Sequence, residues 1–436
     1  MSLQNIKNEA LASSRRFLVI KGVLRLKLGK IWGLVLLGLG AICALGWSRP
    51  AMAKTSQADE VKAAYIVDAK SGQAIYADRA DDKLPIASLS KLMTLYLVVQ
   101  AVKNGQLKWT DNVPISHEVR RLAESATLST MPMGKNEKFT VRELFAATLV
   151  GSSNSSAIAL GELVGGNNTK FIQLMNKQAQ TWQLDAEFVS ASGLDNTDLT
   201  AYHYNLPGSS DQAQNMVSAR AVTTIAQKLL AADPEVISIA NHGSVKVHQH
   251  RVATSVQVLK GQPYYDAEAP VDGLKTGYTA QAGDCLVATF KHDGRRLIAT
   301  TLGGTWKYSA NANLRLMVQR QEHYQQVVPK TIDYQIPGTT TKVTLVAKNG
   351  VKRWDNTKRP VQRKEVAVWP LHRDRPNYLA AGQTVMRYRL TDTTSGAVTT
   401  VDYVTPKAKV LLGPLHLATT SANRTNLLKL PLAFAN

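Results

Sequence analysis

Ser88 and Lys91 stand three positions apart in Ser88-Leu89-Ser90-Lys91, at the start of a segment in which Leu89, Leu92, Met93, Tyr96 and Val99 recur at helical spacing. Residues three apart on a helix share a face, so the Lys91 amine can lie within hydrogen-bond reach of the Ser88 hydroxyl. A serine is a poor nucleophile until a base takes its proton, and a neutral lysine amine can do so. Two further polar groups could join that chemistry. Ser152-Ser153-Asn154 interrupts two apolar helical stretches, and Lys275-Thr276-Gly277 precedes a predicted strand pair. A second cation near Lys91 would lower its pKa, and Lys275 is the candidate. Each pattern alone has a plain structural reading: a solvated pair one turn apart, two helix caps, a strand end with its turn. Their occurrence in order on one chain gives them weight.

The elements around them are legible in outline. The Ser88 helix should stop at Asn104-Gly105, a C-terminal cap. Thr140-Val141-Arg142-Glu143 is a capping box that opens a helix to about Val150, and a second helix resumes over residues 155–164. Polar residues between two such helices either cap both or face a cleft. Residues 63–68 and 73–77 read as strands around Lys70-Ser71-Gly72. Helices are expected over 169–182 and 216–230, with the Gly, Ser and Gln-rich stretch 205–215 as a surface insertion. Strands over 285–290 and 297–302 join through His292-Asp293-Gly294, and a polar-faced helix follows over 309–327. From about Val328 short alternating segments at 343–347, 366–369, 385–390 and 398–404 predict a second, all-β domain.

The chain of 436 residues, 44% hydrophobic, is long enough for two domains after removal of a leader. Lys7, Arg15, Arg16, Lys21, Arg25, Lys27 and Lys30 face a single acid, Glu9, in residues 1–30, and residues 31–47 are uncharged and apolar. Ala51-Met52-Ala53 follows, so the segment reads as a secretory signal cleaved after Ala53. An uncleaved anchor is the alternative, for which the apolar run is slightly short. Cys43 follows Ile42, where a lipoprotein signal wants a small residue, so lipidation is not expected. Cys285 is then the sole cysteine of the mature chain, and no internal disulfide is available. Of the formal charge of +20, about +13 stays with residues 54–436. An exported basic protein meets anionic lipid or wall polymer first, and there is no zinc-finger spacing or aromatic-glycine motif to suggest nucleic acid. His248-Gln249-His250 has ligand-like spacing but no acidic or cysteine partner of convincing spacing; it reads as a surface strand, and no metal is expected. Met93, Met131, Met133 and Met175 read as packing. The tail, 416–436, carries leucines interrupted by Pro431 and is a candidate membrane-associated segment.

Ser-x-x-Lys, Ser-x-Asn and Lys-Thr-Gly in this order mark penicillin-binding proteins and class A β-lactamases. The chain resembles the low-molecular-mass penicillin-binding proteins that are serine-type D-alanyl-D-alanine carboxypeptidases. The likeness extends through Pro85-Ile86-Ala87-Ser88, Phe171-Ile172-Gln173-Leu174-Met175-Asn176, Ser192-Gly193-Leu194-Asp195-Asn196 and Val271-Asp272-Gly273-Leu274-Lys275-Thr276-Gly277-Tyr278-Thr279. It covers most of residues 55–325, and the segment from about 330 is similar to that family's C-terminal domain in pattern and position. The resemblance implies an α+β catalytic domain of the serine β-lactamase/DD-peptidase type, an antiparallel sheet with flanking helices, over 54–328, then a β-rich domain over 329–415.

The same resemblance implies that Ser88 is acylated by peptidoglycan stem peptides and by β-lactam antibiotics, with Lys91 as base and Ser152 relaying a proton to the leaving amine. Asn154 would bind the substrate amide, and Lys275 and Thr276 its terminal carboxylate. Gly277 would let substrate lie close to the strand edge, and the backbone N–H groups of Ser88 and Tyr278 would form the oxyanion hole. No cofactor is implied. Two departures stand out: Ser153 replaces the family's usual glycine, tolerable if it points to solvent, and 205–215 lengthens a loop that could reshape the cleft rim. A DD-endopeptidase uses the same motifs on cross-linked substrate. A β-lactamase needs a deacylating glutamate, of which no clear motif is present. A wall-binding protein with an inert catalytic fold is the non-enzymatic alternative, against which the intact Ser88, Lys91 and Lys275 argue.

Overall fold

The computed structural model describes residues 61–368, 378–393, 396–406 and 409–413. The leader with its expected cleavage point, the Trp369 end of one predicted strand and the tail lie outside the described residues. Strand β1, Ala63–Asp68, is buried along its whole length. Alternate residues of a strand face opposite sides, and both sides here are covered. Ala63, Tyr65 and Val67 enter the main core, while Ile66 joins a second cluster with Phe290, Leu297, Val318 and Trp354. A strand buried on both faces must be apolar at nearly every position, which is why 63–67 reads as an unbroken apolar run.

β1 pairs with β2, Ala74–Asp78, and the chain returns to the same sheet much later with β3, Gly273–Thr279, β4, Gly283–His292, and β5, Arg295–Gly304. The five strands are antiparallel in the order β3-β4-β5-β1-β2. The helices between the two halves of the sheet include α1, Lys91–Lys103, α2, Val141–Val150, α3, Asn154–Gly165, and α4, Ala219–Ala232. α4 lays Val222, Ile225, Ala226 and Leu229, an i, i+3, i+4, i+7 stripe, toward β1 and β5. α5, Lys307–Gln321, covers the opposite face of β4 and β5. The expected capping box holds α2: the Glu143 N–H donates to Thr140 Oγ1 at 3.3 Å and the Thr140 N–H to Glu143 Oε2 at 2.8 Å.

Three expectations change. The segment predicted as one helix over 216–230 begins as a strand, Met216–Ser218, and Ser218 then caps α4 by accepting from the Ala221 N–H. The helix predicted over 309–327 stops at Gln321, and β6, Glu322–Gln326, leaves it to pair with Lys352–Asn356. A single apolar face was expected on α1, yet Lys91, Leu92, Met93, Thr94 and Leu95 are all buried. α1 packs against α2, α3 and α4 at once, so its first turn is enclosed all round.

The C-terminal all-β region is a second antiparallel sheet in the order Thr331–Gln335, Lys342–Ala347, Val398–Val404, Thr384–Thr391, Gln362–Ala367. It has its own core of Ile336, Leu345, Val385, Leu390, Val401 and Tyr403. Buried Asp68 at the end of β1 ties the first sheet to the separate ladder that β6 forms with Lys352–Asn356. Asp68 accepts a two-pronged bond from Arg295 at 2.8 and 2.6 Å and one from Trp354 Nε1 at 2.8 Å. Burial alone would raise its pKa, but the bonds from Arg295, the Ser71 N–H and Trp354 outweigh that and hold it at about 2. Among the described residues no helix is long and apolar enough to cross a membrane.

Candidate active site

Ser88 lies in a 3-10 turn, Ala87–Ser90, that runs directly into α1. The turn is held by the Leu89 N–H donating to the Ile86 carbonyl and by Ser90 Oγ donating to the Ala87 carbonyl at 2.6 Å. Two glycines let other segments close on it. A Cβ at Gly193, where φ is +82°, would sit 2.0 Å from the Ala87 carbonyl oxygen. A Cβ at Gly277 would meet the Ile86 carbonyl oxygen at 2.7 Å and the Ser88 nitrogen at 3.2 Å. Gly277 therefore serves the nucleophile's own turn, packing β3 against its backbone, rather than clearance for a substrate alone. That packing brings the Ser88 backbone nitrogen close to Gly277.

Lys91 Nζ lies 2.8 Å from Ser88 Oγ, and it donates to Asn154 Oδ1 at 2.7 Å and to the Ser192 carbonyl at 2.7 Å, which leaves its lone pair for the serine hydroxyl once the amine is neutral. The side chain is wholly buried. Burial, followed by the charge of Lys275, lowers its pKa well below the ordinary lysine value. The sequence reading named Lys275 as the lowering cation; burial acts first and Lys275 second. An amine held toward neutrality beside a hydroxyl is the arrangement that can take the serine proton. Asn154 is thereby a ligand of the lysine as well as a wall of the cleft.

Ser152 sits between α2 and α3 at φ +59°, and Asn154 is the first residue of α3. Ser153, whose departure from glycine would be tolerable if it pointed to solvent, is instead fully buried: it caps α3, accepting from the Ser156 N–H at 3.2 Å and from the Ser156 hydroxyl at 2.8 Å. The cap that sequence reasoning offered to Ser152 or Asn154 belongs to Ser153, which frees its two neighbours for the cleft. Lys275, also wholly buried, donates to the Thr276 carbonyl at 2.9 Å and to Ser255 Oγ at 3.4 Å, and burial pushes it down to about 7. Thr276 Oγ1 donates to the Ser255 carbonyl at 3.3 Å.

These groups converge on a cavity of about 580 Å³. Ser88, Ser152, Asn154, Thr276, Gly277 and Tyr278 line it, and Lys91 and Lys275 lie behind that wall. Ser192 and Ser255 were not assigned roles from sequence. Ser192 acts through its backbone carbonyl, which no residue type signals, and Ser255 becomes visible only when the chain before β3 folds against it. Gln212, from the 205–215 stretch, does line the cavity, together with Asp195 and Asp198. Burial and then Asp198 raise Asp195 to about 6. His248 and His250, read as lacking acidic partners, flank a tight turn between Ser244–Val247 and His250–Ala253, with Glu137 3.2 Å from His250 and Glu143 3.4 Å from His248. Those acids lie about a hundred residues away, beyond the reach of a spacing argument.

The antiparallel sheet, its covering helices and the Ser-Lys turn at the edge strand are those of the DD-peptidase fold. The sequence model described as D-alanyl-D-alanine carboxypeptidase, Peptidase_S11, matches residues 51–305, more than half of the chain, and the chain belongs to that family. Curated relatives include a D-alanyl-D-alanine carboxypeptidase of Escherichia coli, 29% identical over 274 residues, and one of Bacillus subtilis, 25% identical over 267 residues. These alignments cover 62% and 61% of this chain and 63% of each relative, so the likeness spans under two thirds of those proteins' length. A solved structure of a peptidoglycan synthesis regulatory factor from Streptococcus pneumoniae is similar with a TM-score of 0.65 and 27% identity, covering 80% of this chain and 99% of that one.

Proposed function

We propose that this protein is an exported serine DD-carboxypeptidase that removes the terminal D-alanine from peptidoglycan stem pentapeptides through an acyl-Ser88 intermediate. The observation that carries the reading is the buried Lys91 amine, 2.8 Å from Ser88 Oγ and driven toward its neutral form. Lys91 takes the Ser88 proton as Oγ attacks the carbonyl carbon of the penultimate D-alanine. The carbonyl electron pair moves onto oxygen, held by the N–H groups of Ser88 and Tyr278; one such donor is typically worth about 10²- to 10³-fold in rate. When the tetrahedral species collapses, the C–N bond breaks and the proton passes from Lys91 through Ser152 to the departing amine. Water then hydrolyses the ester with Lys91 again as base.

Thr276 and Lys275 receive the terminal carboxylate, and the Asn154 amide group receives the substrate backbone. β-Lactams acylate the same serine. We further propose that residues 1–53 are a signal peptide, 54–328 the catalytic domain, 329–415 a β-rich domain that spaces the site from an anionic membrane or wall surface, and 416–436 a membrane-associated tail. The basic balance of the chain supports that surface.

Product analysis tests the reading. Incubation with a stem pentapeptide should release one D-alanine per peptide, and a cross-linked dimer should be cleaved far more slowly. Preferential cleavage of the dimer would assign the protein as an endopeptidase instead.

A further inference from the structure

The turn between β4 and β5 brings together three groups that the proposed reaction leaves unused. His292 Nε2 lies 2.7 Å from the Glu322 carbonyl oxygen. A carbonyl can only accept, so this nitrogen carries the proton and Nδ1 presents its lone pair. Nδ1 faces Asp293 Oδ1 at 3.7 Å, and His323 Nδ1, on β6, lies 3.3 Å from Asp293 Oδ2. One ligand atom from each of the three residues lies within 4.8 Å of the others. Bonds of about 2.0–2.2 Å to a tetrahedral zinc ion put neighbouring ligand atoms roughly 3.3 Å apart, close to the two separations between Asp293 and the histidines and within the 4.8 Å that spans the set.

The surroundings hold the groups in this pose. The His292 bond to a backbone carbonyl is the outer-shell contact that fixes the tautomer and ring of a metal-bound histidine. Asp293 stands at φ +47°, and its Oδ2 accepts from the Tyr324 N–H at 3.0 Å, so the carboxylate is aimed by the turn and by β6 together. His292 also stacks on Trp354, with ring centroids 5.6 Å apart. Asp293 and His323 are partly exposed, which leaves one side for water as a fourth ligand.

We propose that His292, Asp293 and His323 form a binding site for a zinc-type divalent transition metal that staples the β4–β5 turn to β6. Two imidazole nitrogens with one carboxylate suit zinc and its neighbours, whereas magnesium demands oxygen ligands. Val287, the partner of Lys275 in the sheet, is five residues from His292, about 17 Å along the strand, so the metal acts on the junction and takes no part in acyl transfer.

The test is calorimetric titration of the tag-free protein with zinc chloride and, separately, magnesium chloride, alongside thermal unfolding in EDTA and in zinc. The expected result is one zinc per chain, a melting temperature that rises with zinc, and no magnesium binding. His323→Ala and Asp293→Asn should each weaken zinc binding at least about tenfold while leaving the melting temperature in EDTA unchanged. Asparagine tolerates the positive φ, so the second variant keeps the turn. The double variant His248→Ala/His250→Ala should bind zinc as the unaltered protein does. Absence of zinc binding, binding indifferent to both substitutions at the turn, or binding lost with His248 and His250 would each overturn the proposal.

Discussion

Lys91 Nζ and Asn154 Oδ1 are 2.7 Å apart, so the first residues of α1 and α3 meet at the proposed proton acceptor itself. An amide oxygen holds the amine without supplying a charge that would keep it protonated. Asn154→Asp would place an anion there and raise the Lys91 pKa. The acylation rate with a labelled penicillin should fall by about 10²-fold or more at neutral pH and recover part of the loss as pH rises, in keeping with the weight of general-base catalysis. A uniform loss at every pH would assign Asn154 to substrate contact alone.

Lys275, pushed to about 7 by burial, loses its charge as pH rises through that value in the free protein. A substrate carboxylate should then bind less well, so kcat/KM should bend downward on the alkaline side while Lys91 sets the acid side. Lys275→Arg, charged at every working pH, should remove the alkaline bend. A profile unchanged by that substitution would place the alkaline group elsewhere.

Gly193→Ala and Gly277→Ala should both disturb the Ser88 turn, but unequally. The first adds a Cβ 2.0 Å from a backbone oxygen at a φ of +82°, the second one at 2.7 Å. Overpacking of this kind typically costs about 1–3 kcal/mol, and Gly193→Ala should lie at or above the top of that range. Denaturant unfolding combined with penicillin acylation would check the order.

Ser153 caps α3 from a buried position. Ser153→Ala should cost about 1 kcal/mol, whereas Ser153→Gly, the residue usual in the family it resembles, should cost only a few tenths because glycine is an acceptable cap. Both should still acylate. Loss of acylation in Ser153→Gly would mean that the hydroxyl serves the chemistry.

Asp68 joins β1 to Arg295 and Trp354 with its pKa held near 2. A carboxyl depressed in the folded state contributes stability that is present above its unfolded value of about 3.9 and is lost as pH falls through the folded value. Asp68→Asn should lower stability at pH 7 and flatten the decline between about pH 4 and pH 2. Acid titration of unfolding for both proteins would measure it.

The side-chain members of the site were readable because each is a motif residue on one short segment: Ser88 with Lys91, Ser152 with Asn154, Lys275 with Thr276. The central sheet was readable in pieces, since 63–68 and the hairpin at His292-Asp293-Gly294 announce strands locally. Their pairing was not, because β1 meets β5 across more than two hundred residues. The short strand Met216–Ser218 was hidden by helical periodicity that belongs only to the residues after it. The burial of Ser153 was not readable, because it follows from how α2 and α3 meet, a tertiary fact. The Ser192 carbonyl and the clearance at Gly193 and Gly277 are backbone features with no side chain to read.

Intact mass measurement after incubation with a labelled penicillin, followed by peptide mapping, tests the central claim most directly. The account predicts a single adduct per chain, located on Ser88 and absent from Ser88→Ala. An adduct retained by Ser88→Ala, or no adduct on the unaltered protein, would contradict it.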